Sequence, residues 1–171
     1  MRWLFIGLGI VAGVVAVLAG VGYSMPNVHV AQVQAEYRAG VDSTYAVLTD
    51  VEQWPEWHPS VEKLTPLGGE PDTPSFRVSG PDGSMTITVT GREPPRRFTT
   101  LADGGMFIGR WTYVVEPTAA GSRVTITEEA RIDNIVIRGL TMFRSQSGTI
   151  ERMLRALGTR LGERVETRRL N

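Results

Sequence analysis

The chain contains no cysteine, which removes disulfides, thiolate nucleophiles and cysteine-ligated metals together and leaves the redox compartment open. Lysine is nearly missing too: Lys63 stands alone among 18 basic residues, the rest being arginine. A coding bias accounts for that skew more simply than anion recognition does. Neither sign of charge is in excess, with 18 basic against 18 acidic residues, so no overall field draws nucleic acid or an acidic partner. No nucleophile–base pair, metal-ligand spacing, phosphate-binding loop or basic–aromatic patch stands out, and neither a cofactor nor a metal is expected. Catalysis stays open even so, because a cavity can assemble residues that are distant in sequence. Nothing repeats at a fixed period, and 171 residues leave room for one domain plus an appendage.

What is present is unevenly distributed. Trp3 to Gly22 is a run of 20 residues without a charge, and at 1.5 Å per residue it reaches about 30 Å, the thickness of a hydrocarbon core. Eleven of them are Leu, Ile, Val or Phe, each contributing about −0.3 to −0.6 kcal/mol near the bilayer centre, which outweighs the five glycines. A cleavable signal would have a shorter apolar core and a small-x-small exit, and the stretch around Ala19 to Ser24 fits that poorly. The expectation is an uncleaved anchor over residues 1–24, with a signal sequence and a buried core helix as alternatives. Gly7-Leu8-Gly9 with Gly13 lacks the preceding strand of a dinucleotide fingerprint. Gly9 and Gly13 meet a small-xxx-small spacing that such a glycine-rich run produces by chance. Arg2 before the span, with Glu36 and Arg38 the first charges after it, predicts an inside N-terminus and an extracytoplasmic domain.

From residue 25 onward the pattern is that of a single soluble domain to residue 171. Tyr23 to Asn27 reads as a linker. His29, Ala31, Val33, Ala35 and Tyr37 share one parity, as in a half-buried strand. Gly40-Val41-Asp42-Ser43 then opens a short helix carrying Tyr45 and Leu48, and Trp54-Pro55-Glu56-Trp57-His58-Pro59 makes a proline-punctuated turn. Strands are expected near Val61–Leu67, Ser75–Ser79, Ser84–Arg92, Arg97–Ala102, Phe107–Glu116 and Arg123–Asp133, divided by Gly- and Pro-rich turns short enough for an antiparallel meander. Leu140, Phe143, Ser147, Ile150, Leu154, Leu157, Leu161 and Val165 fall three or four apart, predicting one long terminal helix. The fold class is α+β: a curved seven-stranded antiparallel sheet whose apolar face the last helix covers, preceded by one transmembrane helix. Curvature leaves an enclosure between sheet and helix, the usual form of a small-molecule site.

Several stretches resemble a known family. Tyr37-Arg38-Ala39-Gly40-Val41, the helix through Tyr45-Ala46-Val47-Leu48-Thr49-Asp50, and Trp54-Pro55-Glu56-Trp57-His58-Pro59-Ser60-Val61 are similar to the opening of the START-like, or SRPBCC, superfamily, nearest its polyketide cyclase/dehydrase-type subgroup. Arg92-Glu93-Pro94-Pro95-Arg96-Arg97-Phe98, Trp111-Thr112-Tyr113 and Gly121-Ser122-Arg123-Val124-Thr125 agree. Gly40 and Tyr45 depart from the proline and tryptophan many relatives carry there. The resemblance runs from about Val28 to Glu166. It implies a helix-grip fold with a deep cavity that takes lipids, sterols, polyketides, quinones or other apolar molecules, with cyclisation or dehydration in some members.

Trp54, Trp57, Phe76, Met85, Ile87, Phe98, Trp111, Tyr113 and Phe143 are the candidate ligand-binding residues, though each alone reads equally as core. Glu128 shares the parity of Val124 and Ile126, so it should point inward, with a raised pKa or with Arg77 or Arg110 as partner. It and His58 are the two candidate catalytic groups; His58 reads more simply as a turn residue and His29 as a strand end. The function expected is membrane-tethered binding of a small apolar ligand, with residues 3–22 as the membrane contact, no nucleic acid and no protein partner identifiable. A cyclase/dehydrase-type enzyme is one alternative. A co-chaperone-like interaction module, with a filled interior, is the other.

Overall fold

The computed structural model describes residues 2–81, 83–141 and 146–170. In chain order these form α1 (Arg2–Ser24), β1 (Val28–Tyr37), α2 (Val41–Thr49), a single 3-10 turn at Val51–Gln53 and α3 (Trp54–Trp57). Then come β2 (Lys63–Gly68), β3 (Ser75–Gly80), β4 (Gly83–Glu93), β5 (Arg97–Asp103), β6 (Ile108–Thr118) and β7 (Gly121–Arg131). The chain ends with α4 (Ile135–Thr141), α5 (Gln146–Arg160) and β8 (Thr167–Arg169). All pairings are antiparallel, in the order β2-β3-β4-β5-β6-β7-β1-β8.

The seven expected strands are present, and β8 is an eighth, laid along Val33–Ala35 of β1. Alternation sets the faces. Ala31, Val33, Ala35 and Tyr37 of β1 are buried on the concave side with Val124 and Ile126 of β7 and Tyr113 and Val115 of β6. Onto this face α5 lays Ile150, Met153, Leu154 and Leu157, all fully buried, each contributing about 1.5–3 kcal/mol. The Tyr37 hydroxyl donates to the Leu154 carbonyl at 2.9 Å, fixing the helix against β1.

The single helix expected from Leu140 to Val165 is instead two helices, with Leu140 in α4, Phe143 outside the described residues, and α5 ending at Arg160. Gly162 is the stop signal. At φ +75° it takes a left-handed turn, its N–H bonding the Thr159 carbonyl while that of Glu163 reaches Gly158. The turn carries the Glu163 carboxylate onto the backbone N–H groups of Arg38 and Ala39, at 2.8 and 2.9 Å. It also folds Val165 back over Gly158, so Val165 joins the core without being helical.

At the other end of the chain, α1 is exposed along most of its length, and its last turns meet α4. Helix α4 is capped by Asn134, whose side-chain oxygen accepts from the N–H groups of Val136 and Ile137.

Gly162→Ala should cost about 1–2 kcal/mol, the penalty of a left-handed residue with a Cβ. Gly40→Ala, at φ −69° with open space around its Cβ, should be close to neutral. Thermal unfolding of the two full-length variants in detergent measures the contrast.

Candidate functional site

Three neighbouring cross-strand rows decide where the concave face is solid and where it is hollow. The first, Val33–Ile126–Tyr113–Phe98, is filled by branched and aromatic side chains. The second is Ala31–Glu128–Trp111–Thr100. In the third, His29–Ala130–Gly109–Ala102–Ile87, alanine or glycine holds three successive positions. A cavity of about 230 Å³ lies over the second and third rows. Met85, Ile87 and Val78 extend its floor, Trp54, His58, Ser60 and Val61 wall it from the α3 side, Thr149 comes from α5, and Phe107 and Ile132 stand at the strand ends.

The lining is mainly apolar, so its polar groups are conspicuous. Burial pushes the Glu128 carboxyl up to about 7, and among the described residues no neighbouring cation counters it. The hydroxyl of Tyr113 is held un-ionised, first by burial and also by the nearby Glu128, with Thr100 acting in the opposite direction. Burial pushes His58 down to about 4, so it is neutral near pH 7. The Ser60 N–H donates to its Nδ1 at 3.2 Å, which puts the imidazole proton on Nε2. Its ring stacks on Trp54 at 5.0 Å, and Trp54 is pinned by its own Nε1–H to the Leu48 carbonyl at 3.1 Å. His29 Nε2 is buried without a hydrogen-bond partner among the described residues. Burial and then the Arg138 charge lower the His29 pKa. Among the described residues no group of three His, Asp or Glu side chains is placed to hold a metal ion. The arrangement can seat an apolar body with one hydrogen-bonding end, and it can exchange one proton near neutrality.

Residues 28–162 match the family model described as "Polyketide cyclase / dehydrase and lipid transport". The chain belongs to this family. Norcoclaurine synthase from Thalictrum flavum shares the fold at TM-score 0.66 and 14% identity, over 84% of this chain and 91% of that one. A protein from Thermus thermophilus does so at 0.62 and 20%, over 78% and 96%. The di-domain ARO/CYC StfQ of the steffimycin biosynthetic pathway does so at 0.60 and 18%, over 78% of this chain and 52% of its own, so this chain spans about half its length. No curated protein matches the sequence.

Family membership accounts for the helix-grip fold; the register decides which residues meet. Of the ligand-binding candidates, Trp54, Met85, Ile87, Trp111 and Tyr113 line the cavity, and both Glu128 and His58 join them. Phe98 lies outside the lining, fully buried against Tyr113 with the Arg92 guanidinium 5.3 Å from its ring centre. Phe76 faces a second, shallow groove beside Asp50 and Arg92, and Trp57 packs over His58 outside the cavity. Phe143 lies outside the described residues. Arg77 and Arg110, expected as partners of Glu128, are exposed on the convex face, opposite Thr86 and Glu129 respectively. His29, Ala31, Ser60, Val61, Val78, Thr100, Ala102, Phe107, Ala130, Ile132 and Thr149 complete the lining without having been singled out for it. The parity of Thr100 and Ala102 with Phe98 was the available signal.

Two opposed pH dependences follow. Between its ordinary value of 4.5 and about 7, Glu128 keeps its proton in the folded chain and loses it in the unfolded one, so stability falls as pH rises. Between about 4 and 6.5, His58 is protonated only when unfolded, so its burial makes stability fall as pH drops. The two offset each other where the windows overlap. Glu128→Gln should therefore stabilise the full-length protein by up to about 3 kcal/mol at pH 8. It should also expose a loss on acidification below pH 6.5, read by denaturant unfolding across pH.

Proposed function

We propose that this protein binds a small hydrophobic molecule bearing one polar group, with Glu128 as the polar contact, at the surface of a membrane that α1 spans. The hollow over Ala130 and Ala102, beside a carboxyl with no ion pair among the described residues, carries this reading. At about 230 Å³ the cavity falls below the roughly 300–1,000 Å³ of drug-sized sites, which favours a compact ring system or one end of a longer amphiphile. A lipid, quinone or polyketide-like molecule fits that description. A protein-docking module, which calls for a filled interior, is correspondingly disfavoured.

The tether is supported by α1, which is long and apolar enough to cross a membrane. Trp3 and Tyr23, both strongly exposed, bracket its apolar run at about 30 Å, the spacing of two interfacial aromatic belts. Ser24 ends α1, and His29 already lines the cavity, a reach of at most about 18 Å even if extended. In this reading residues 1–24 are the anchor, residues 25–171 the binding domain, and Arg2 keeps the N-terminus inside. A cleaved signal sequence is the competing account of α1.

Acid–base catalysis of the cyclase/dehydrase kind is the second reading, favoured by a carboxyl with a proton affinity near neutrality beside the un-ionised Tyr113 hydroxyl.

Organic extraction of full-length protein purified in mild detergent, followed by mass spectrometry, should yield an apolar molecule. Ala102→Leu combined with Ala130→Leu should lose it. Absence of any such molecule, across added lipids and quinones, would sink the binding proposal. Under the catalytic reading Glu128→Gln should lower turnover by about 10²–10⁴ while the ligand is still retained.

A further inference from the structure

Helix α4 meets the end of α1 backbone to backbone. A Cβ on Gly22 would lie 1.7 Å from the Ile135 carbonyl oxygen, and one on Gly139 would lie 2.1 Å from that of Leu18. Later residues of α4 thus meet earlier residues of α1, so α4 runs back along the apolar helix, and Leu18 lies about 6 Å deeper than Gly22. Close glycine contact is how helices associate in lipid, where hiding leucine side chains gains nothing.

The one charge in α4, Arg138, is turned toward the exit of α1. Its guanidinium donates to the carbonyls of Gly22 and Met25 at 3.2 Å, and to those of Ile132 and Asp133. It thereby supplies donors to backbone oxygens at a helix end, where water is scarce near lipid. The rest of α4 offers Ile135 and Leu140 outward. At the same end of the sheet, Val28 and Ile108 flank Arg131 on the outer face, and Met106, 63% exposed, tips the β5–β6 turn. Ile132 and Phe107, next to these two apolar outcrops, line the cavity.

We infer that α4 and the Met106 turn form a second membrane contact, an apolar rim that seats the cavity mouth among lipid headgroups and upper acyl chains. The inference rests on the reading of α1 as a membrane span, because wherever the last turns of α1 lie, α4 lies beside them.

The absence of cysteine makes the test direct. Ile10→Cys, Met106→Cys, Leu140→Cys and Ala120→Cys, each in the full chain, are labelled with nitrobenzoxadiazole and reconstituted into phosphatidylcholine vesicles. Labels at 10, 106 and 140 should lose emission to a nitroxide on the upper acyl chain. The label at 120, at the opposite end of the sheet, should respond only to an aqueous quencher. Lipid quenching at 10 combined with responses at 106 and 140 like that at 120 would overturn the rim and leave the span intact. No lipid quenching at 10 would overturn both. Adding Gly139→Leu should move the response at 140 toward that at 120 while 10 is unchanged; an unmoved response would overturn the glycine contact as the cause.

Discussion

The whole arrangement depends on one helix being too small for the sheet it must cover. Helix α5 is 15 residues, roughly 22 Å, whereas the central strands run 10 or 11 residues, roughly 35 Å, in a sheet many strands wide. Its buried stripe from Ile150 to Leu157 seals one portion of the concave face, where Tyr37 and Leu154 are joined. Beyond that portion the face is covered by side chains of α2 and α3 and by its own, or it stays open. The Phe98 row is filled with rings; the next rows stay open over Ala130 and Ala102, while Trp111 and Phe107 close over Gly109. The raised proton affinity of Glu128 follows from the same mismatch, since burial against a mainly apolar lining penalises its charged form.

Much of this was legible in the sequence because strands alternate strictly. The parity of Val124 and Ile126 placed Glu128 inward, and that of Trp111 and Tyr113 placed their rings there too. The same parity turns Arg110 outward, so its expected pairing with Glu128 failed on information already present. The hollow was not legible, because space is a property of three strands in register. A lone alanine in β5 or β7 looks like a weak strand position, and only the placing of Ala102 and Ala130 in one cross-strand row leaves space over them. The aromatic candidates were subject to the same limit: Phe76, Phe98 and Tyr113 all point inward, and register alone separates the cavity wall from the sealed core.

The long terminal helix failed for a different reason. Val165 kept the three-or-four spacing only because the chain turns back at Gly162 and lays it over Gly158. Apolar periodicity reports which residues face the core, and a reversal can preserve that count. At the front of the domain, α4 links α1 to the cavity through a few residues. Ile132 lines the cavity, and Arg138 bonds its carbonyl while also raising the positive potential at His29. The hydrogen bonds of Arg138 thus join the end of α1 to a residue at the cavity's edge.

The short strand β8 has a consequence for how copies of this protein would behave side by side. Without it, the middle of β1 would present unpaired N–H and C=O groups, a template for strand addition. Thr167–Arg169 occupies Val33–Ala35, and the N–H of Leu170 reaches the Gln32 carbonyl. At the opposite edge, β2 carries Lys63, Pro66 and a bulge before Gly68, which spoil it as a template by other means. On the proposed reading of α1 as a tether, copies confined to two dimensions would collide often and in similar orientations, and blunted edges would keep a crowded population from zipping into a continuous sheet.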